Sequence, residues 1–272
     1  MGSREGVVCA AVVQLTSTDD LAANLAAAEA LVREAAGHGA TFVALPEMFA
    51  FLRREGQRFP HAQGVDGEIV AHVRSWAREL GVRILAGSIA EGLSDSQRVY
   101  NTSALVGADG AIEAVYRKIH LFDVDLGAGG VFAESKSIAP GEAVVVADTE
   151  IGGIGLSVCY DLRFPELYRA QSARGARWLI VPSAFARATG KDHWEVLLRA
   201  RAIENQCFVL APAQCGVHSP DRASHGRSLI VDPWGIVLAQ LGDSPGVAVA
   251  DCSLAELERV RASVPALRHR RL

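Results

Sequence analysis

Cys159 is placed where a chain can present a nucleophile. An apolar run from Ile151 to Val158 predicts a buried strand that ends at this cysteine, and Pro165 stands where the first turn of a helix tolerates proline. The positive end of a helix, or a neighbouring cation, lowers the pKa of a thiol from its usual value near ~8.5. We therefore expect Cys159 to be a reactive thiolate, although a lone cysteine ending an apolar strand is also a common packing residue.

Two further polar side chains end predicted strands. Glu47 follows the strand predicted from Thr41 to Leu45, and Lys118 lies at the end of the strand predicted from Ala111 to Ile119. Ligands of α/β sheets bind at the carboxyl ends of strands, so we expect both residues to meet Cys159 there. Together they supply the nucleophile, base and cation that acyl transfer to a thiol requires. Taken singly, Glu47 could cap a helix and Lys118 could be a solvated strand end.

The elements that must position these residues alternate between strand and helix. Strands are predicted at residues 7–15, 41–45, 83–89, 99–106, 111–119, 144–147, 151–158, 178–181, 208–213, 228–232 and 236–241. Helices are predicted at residues 21–37, 69–80, from after Cys159 to 175, 192–205 and 254–260. Residues 120–140 form a loop too long for a simple connector, which indicates function. Antiparallel hairpins in both halves predict an α-β-β-α sandwich of two stacked sheets with helices outside.

Composition restricts the class of partner. The 272 residues are half hydrophobic and lack an internal linker, which favours one domain spanning residues 1–272. A formal net charge of −4 argues against nucleic acid or an anionic membrane as partner. Five cysteines without a C-x-x-C pair suggest neither a disulfide framework nor a zinc ribbon. The first apolar run is too short to span a bilayer and lacks a signal-peptide pattern. We expect a cytoplasmic protein without metal or cofactor.

Three short motifs carry a resemblance to a known family. Leu45-Pro-Glu47, Tyr116-Arg-Lys118 and Val158-Cys159-Tyr-Asp161, in that order, resemble the Glu-Lys-Cys signature of the nitrilase superfamily of carbon–nitrogen hydrolases. The resemblance extends from the first strand to the basic residues 269–271. Longer segments are similar to the branch typified by the deaminated glutathione amidases: residues 120–123, 134–135, 163–166, 182–185, 189–190, 193–204 and 231–235.

The resemblance implies a fold and a set of roles. The fold would be the four-layer α-β-β-α sandwich of the nitrilase type. Glu47 would be the general base, Lys118 the electrostatic partner, Cys159 the nucleophile, and Glu134 a second active-site glutamate that positions substrate or water. Members that act on nitriles usually carry Cys-Trp-Glu, whereas Cys159-Tyr160-Asp161 is similar to the amidase and carbamoylase branches. Amide hydrolysis is therefore favoured.

The substrate implied by the resemblance is a small carboxylate-bearing amide. Hydrolysis of the terminal amide of deaminated glutathione is the first choice, and 2-oxoglutaramate or an N-carbamoyl compound is the alternative. A catalytically idle scaffold is disfavoured, because a buried cluster of unneeded charges costs stability. An arginine fork suits a carboxylate, although Arg163 could equally pair with Glu166 or Asp161. The residues expected to bind substrate are Tyr160, Arg163, Phe185 and Arg187.

The resemblance also implies a homodimer. The helices that follow the two reactive strand ends would pack together, and the C-terminal arm would cross onto the partner. The basic residues 268–271 could instead be a solvated tail. Arg227 stands where close relatives are expected to carry histidine, which concerns local packing or the subunit contact rather than the three catalytic residues.

Overall fold

Two β-sheets lie face to face at the centre of the molecule, and helices cover both outer surfaces. The computed structural model describes residues 6–54, 56–94, 96–127 and 130–271. Its helices are α1 (Leu21–Gly37), α2 (Glu68–Leu80), α3 (Pro165–Ala173), α4 (Arg187–Asn205), α5 (Leu254–Ser263) and α6 (Ala266–His269). Its strands in the first half are β1 (Val7–Gln14), β2 (Phe42–Ala44), β3 (Arg83–Leu85), β4 (Ile89–Gly92), β5 (Val99–Val106), β6 (Ile112–Arg117), β7 (Asp123–Asp125), β8 (Val131–Ala133) and β9 (Ile138–Ala139). Those in the second half are β10 (Val146–Ala147), β11 (Gly153–Leu156), β12 (Ala176–Ile180), β13 (Phe208–Ala211), β14 (Cys215–Ser219), β15 (Arg222–His225), β16 (Leu229–Val231), β17 (Val237–Gln240) and β18 (Gly246–Ser253).

Both sheets have a parallel centre. The first runs in the order β18-β1-β2-β3-β5-β4, with β6 and β9 paired to β5, and β1, β2 and β3 are parallel. The second runs β10-β11-β12-β13-β16-β17, with β11, β12 and β13 parallel. Parallel strands end on the same edge of a sheet, so β2 and β11 each deliver the residues that follow them to such an edge.

The strand β1 separates two hydrophobic cores. Its residues Val8, Ala10 and Val12 face the second sheet, whereas Ala11 and Val13 belong to the core beneath α1 and α2. Successive side chains of a strand point to opposite faces, so one apolar strand serves both layers. Between the sheets, Phe42 meets Trp178 edge-to-face, with ring centroids 6.1 Å apart. Truncation of such a buried tryptophan to alanine costs about 3–5 kcal/mol.

The helices complete the four layers that the sequence predicted. α1 and α2 pack on the first sheet, and α3 and α4 pack on the second. α1 begins after Asp20, whose carboxylate accepts the Ala23 N–H, and α3 begins at Pro165 as expected. α4 begins at Arg187, five residues before the predicted start. The four-layer α-β-β-α architecture is thus confirmed.

The prediction of a single strand over residues 83–89 was wrong. The chain leaves the sheet after Leu85 and re-enters it at Ile89. At Gly87 a Cβ atom would lie 2.0 Å from the Pro46 carbonyl oxygen, so the backbone passes where a side chain cannot fit. Ser88 then accepts the Met48 N–H at 3.0 Å, which ties this break to the segment that carries Glu47.

The β14–β15 hairpin and β18 were also missed by the sequence-based predictions. β14 and β15 form a hairpin apart from the main sheets, and β18 pairs antiparallel with β1 along its whole length, from Val7↔Ser253 to Gln14↔Gly246. The five cysteines are free thiols. Among the described residues, no helix has both the length and the apolar character needed to cross a bilayer.

Candidate active site

The structure brings together the four polar residues that the sequence selected. Glu47 follows β2, and the next residue, Met48, adopts a left-handed φ of 51°. Lys118 follows β6 and donates its N–H to the Asn101 carbonyl at 2.9 Å. Cys159, with φ of 50°, opens a 3-10 turn and donates its N–H to the Pro182 carbonyl at 2.9 Å. Left-handed backbone at two non-glycine residues is the kind of strain that accumulates at functional sites.

Lys118 bridges the two glutamates. Its Nζ atom lies 2.8 and 2.9 Å from the carboxylate oxygens of Glu134 and 3.3 Å from Oε1 of Glu47. Burial, with only 2% of the residue exposed, disfavours its charge. The negative charges of Glu134 and Glu47 outweigh burial and raise the pKa of Lys118 above its ordinary value. Lys118 is therefore a fixed cation and not a base.

Glu47 is held as a carboxylate. Burial raises its pKa, but the Lys118 charge and hydrogen bonds from Cys159, Ala184 and Asn101 outweigh burial, so that the pKa lies below its usual value. The Ala184 N–H donates to Oε2 at 2.7 Å, and Asn101 Nδ2 donates to Oε1 at 2.8 Å. Sequence reasoning missed Asn101. The sequence feature that could have indicated it is an amide side chain within a strand that is mostly buried.

Cys159 rests as a neutral thiol, which differs from the thiolate expected from sequence. Burial and the Glu47 charge raise its pKa well above the ordinary value, and the opposing charge of Lys118 is too weak to offset them. The α3 helix begins only at Pro165, so its N-terminus does not start at the sulfur. The thiol donates to Glu47, and this arrangement can transfer its proton to the carboxylate as the sulfur attacks.

Asp161 connects the two strand ends that carry Lys118 and Cys159. Its Oδ2 atom accepts the Tyr116 hydroxyl at 2.7 Å and the Val158 N–H at 2.8 Å. Its Oδ1 atom lies 3.0 Å from the backbone N of His120 and 2.7 Å from that residue's ring Nδ1. Because the carboxylate is fully buried and multiply bonded, it holds the nucleophile turn against β6.

The loop over residues 120–140 contributes one wall of the site. The strands β7 and β8 pair within it, and Glu134 opens the 3-10 turn that follows. The Phe122 N–H donates to Glu134 Oε2 at 2.6 Å, which fixes the carboxylate toward Lys118. Ala128 and Gly129 of this loop lie outside the described residues.

A cavity of about 870 Å³, including its open mouth, leads to Cys159. Of the four residues expected to bind substrate, Tyr160, Arg163 and Phe185 line it, whereas Arg187 is exposed in the first turn of α4 and does not. Sequence reasoning missed two arginines that do, Arg53 and Arg222. The aromatic residues of the wall are Phe51, Phe59, Phe122, Phe132, Tyr160 and Phe185.

Arg163 is held by rings and not by carboxylates. Its guanidinium lies 5.2 Å from the centre of the Phe185 ring and 5.8 Å from that of Tyr160, and Nη1 is 3.2 Å from His193 Nδ1. Among the described residues it forms no ion pair, so neither Glu166 nor Asp161 neutralises it. Arg227, the departure noted in the sequence, is exposed 3.2 Å from Asp243 and lies outside the cavity lining.

Comparisons with known proteins show which family this chain resembles. A family model described as carbon-nitrogen hydrolase matches residues 9–262. The chain is 44% identical to the deaminated glutathione amidase of Synechocystis over 96% of its own length and 97% of the relative's. It is also 44% identical to the human protein of that name, covering 81% of it. The crystal structure of the C. elegans NitFhit protein superposes with a TM-score of 0.92 at 39% identity, covering 98% of this chain and 65% of that one.

Proposed function

This chain belongs to the carbon–nitrogen hydrolase family and is an amidase, and we propose that it cleaves deaminated glutathione through a thioester on Cys159. One observation carries the proposal. A buried thiol donates to an ionised Glu47 beside a charged Lys118, and all three residues line one open cavity.

The leaving group follows from the substrate's chemistry. Glutathione is linked through the side-chain carbonyl of its glutamyl residue, and loss of the amine leaves a 2-oxo acid joined by an amide to cysteinylglycine. The bond cleaved is that internal amide. The leaving amine is therefore a dipeptide and not the ammonia that a terminal amide would release.

Proton transfers in the proposed mechanism run through Glu47. The carboxylate takes the Cys159 proton as sulfur attacks the amide carbonyl, and Lys118 faces the oxygen that becomes negative. Glu47 then returns the proton to the departing nitrogen, and the carbon–nitrogen bond breaks to leave a thioester. Glu47 next takes a proton from water, whose oxygen attacks the thioester. The carbon–sulfur bond then breaks, 2-oxoglutarate is released, and Glu47 returns its proton to the Cys159 sulfur.

Glu134 and Arg163 have supporting roles in the proposal. Glu134 takes no proton in these steps and makes the shorter contacts with Lys118, so it keeps the ammonium group paired while Glu47 is protonated. Arg163, four residues after the nucleophile, is the candidate cation for the carboxylate of the 2-oxo acid. The rings of Tyr160 and Phe185 lie beside its guanidinium and hold it in place.

The test compares substrates on one preparation. We expect kcat/KM for deaminated glutathione to exceed that for 2-oxoglutaramate by more than ~10, because contacts to the remote dipeptide contribute to transition-state binding. Cys159→Ala should abolish turnover, and Lys118→Ala or Glu47→Ala should each cost at least ~10²-fold. Rapid quenching followed by mass spectrometry should find the acyl group on Cys159.

Other outcomes redirect the assignment. A preference for 2-oxoglutaramate would make the protein an ω-amidase, which shares the reacting end of the substrate. Hydrolysis of an N-carbamoyl compound alone would move it to that branch. The absence of any acyl-enzyme with all three substrates would favour an idle binding scaffold.

We also propose that the protein is a cytoplasmic homodimer formed by one domain over residues 1–272, acting in metabolite repair. Residues 1–5 and 272, at the ends of that range, lie outside the described residues. Free thiols at all five cysteines are consistent with a reducing compartment. Exposed apolar side chains on and beside α4, namely Val196, Ile203, Trp234 and Ile236, support a subunit contact there.

A further inference from the structure

We propose that Arg222 binds the carboxylate of the leaving dipeptide and thereby sets the preference for a peptide-bearing amide. This inference rests on the proposed function and extends it to the far end of the substrate. A dianionic substrate needs two separate cationic positions, and Arg163 beside the nucleophile supplies only one.

The hairpin of β14 and β15 holds Arg222 at the cavity. The His225 N–H donates to the Phe185 carbonyl at 2.9 Å, and Ser224 bridges to Ala186, so β15 is fastened to the cavity wall. On β14, the ring of His218 contacts two residues: Nδ1 lies 2.8 Å from the Ser17 carbonyl oxygen, and Nε2 lies 2.9 Å from Ser224 Oγ. Arg222 stands at the start of β15, half-buried, with its side chain in the cavity lining.

The guanidinium of Arg222 has donors to spare. Nη1 donates to the Arg53 carbonyl at 3.3 Å, and within the described part of the chain no carboxylate pairs with it. Arg53 is more occupied, because it bonds the carbonyls of Arg54 and Gln57 and the Ser137 hydroxyl. A guanidinium has five N–H donors, and the hydrogen bond to the Arg53 carbonyl uses one of them. The group can therefore still bind a carboxylate through two parallel hydrogen bonds.

The lining of the cavity agrees with a substrate that extends away from Cys159. Two extended residues span about 7 Å, so the glycine carboxylate lies that far beyond the scissile nitrogen. The cavity lining includes both Cys159 and Arg222, together with Arg53 and Phe59. A 2-oxo acid with a simple amide would leave the Arg222 side of such a cavity to water.

The test uses deaminated glutathione and its analogue with a glycine carboxamide in place of the carboxylate. Wild-type protein should prefer the free acid by about tenfold or more, the size expected for a charge-assisted hydrogen bond. Arg222→Gln should lose that preference because its kcat/KM for the free acid falls. Its kcat/KM for the carboxamide should change by less than about twofold. Arg187→Gln, a matched change of an exposed arginine outside the cavity lining, should retain it.

Persistence of the full preference in Arg222→Gln would overturn the inference and leave the amidase assignment intact. If wild-type protein hydrolyses neither compound, the proposed function fails first and this inference with it. Should Arg222→Gln lose both substrates equally, Arg222→Lys decides, since it keeps the charge and the aliphatic stem. Recovery of the free-acid preference in Arg222→Lys then supports the proposal, and a loss of both substrates without that preference contradicts it.

Discussion

In the active site a neutral thiol is the proton donor and an ionised carboxylate is the proton acceptor. Glu47 is ready to accept a proton, Cys159 still holds one, and Lys118 keeps its charge between two glutamates. The sulfur therefore gains its negative charge only when a carbonyl carbon is there to share it. Such a site avoids a standing thiolate, which would react with oxidants and alkylating agents.

The state of Cys159 predicts how its alkylation depends on pH. Because its pKa is raised well above 9.0, labelling by iodoacetamide should climb through neutral pH and reach no plateau below that value. Glu47→Gln removes the charge and the hydrogen bond that raise this pKa, so the variant should label faster at pH 7 although its turnover falls. Peptide mass spectrometry measures labelling at Cys159 alone. A wild-type plateau below pH 7 would mean a resting thiolate.

At the scale of elements, the strand ends were the predictable part of the site. Glu47, Lys118 and Cys159 each end an apolar run, and parallel strands bring such ends together. Arg222 was out of reach, because the β14–β15 hairpin has few apolar residues and is fixed by contacts with Phe185 and Ser17 from distant segments. β18 was missed for a similar reason, since a half-buried strand gains its order from pairing with β1.

The hairpin that carries Arg222 predicts an acid-sensitive stability. Burial lowers the pKa of His218 to about 4 from 6.5, so the folded state binds fewer protons than the unfolded state between these values. The contribution of neutral His218 to the free energy of unfolding is fully present above about pH 6.5. It is lost as the pH falls toward 4, and the total loss is about 3 kcal/mol. His218→Gln should therefore show a smaller drop in Tm between pH 7.5 and 5 than wild type, whereas His72→Gln, at an exposed position of α2, should follow wild type.

At the scale of the whole molecule, the layer of helices outside the second sheet exposes several large apolar side chains on and beside α4. Val196 and Ile203 lie seven residues apart on one face of α4, exposed by 67% and 51%. Ile203 packs at Gly235, between the exposed Trp234 and Ile236. Exposed apolar side chains grouped on one helix and the turn beside it mark an interaction surface, and a second copy of the chain is its proposed occupant.

The proposed dimer gives a direct prediction for light scattering. Wild-type protein at micromolar concentration should have the mass of two chains. The pair of changes Val196→Glu and Ile203→Glu should shift it to a monomer, because two buried, unpaired carboxylates oppose association. Val217→Glu, at a similarly exposed valine on the β14–β15 hairpin, is the control and should leave the mass unchanged. A monomeric wild type would contradict the dimer.

During synthesis, β1 leaves the ribosome about 230 residues ahead of β18. At translation rates of about 5–20 residues per second, it waits roughly 10 to 50 seconds for the strand that covers its edge. Until then the apolar run Val7–Gln14 offers unpaired backbone to any other nascent strand. The first sheet pairs two strands that are far apart in the chain, so translation speed sets how long the nascent β1 needs protection by a chaperone.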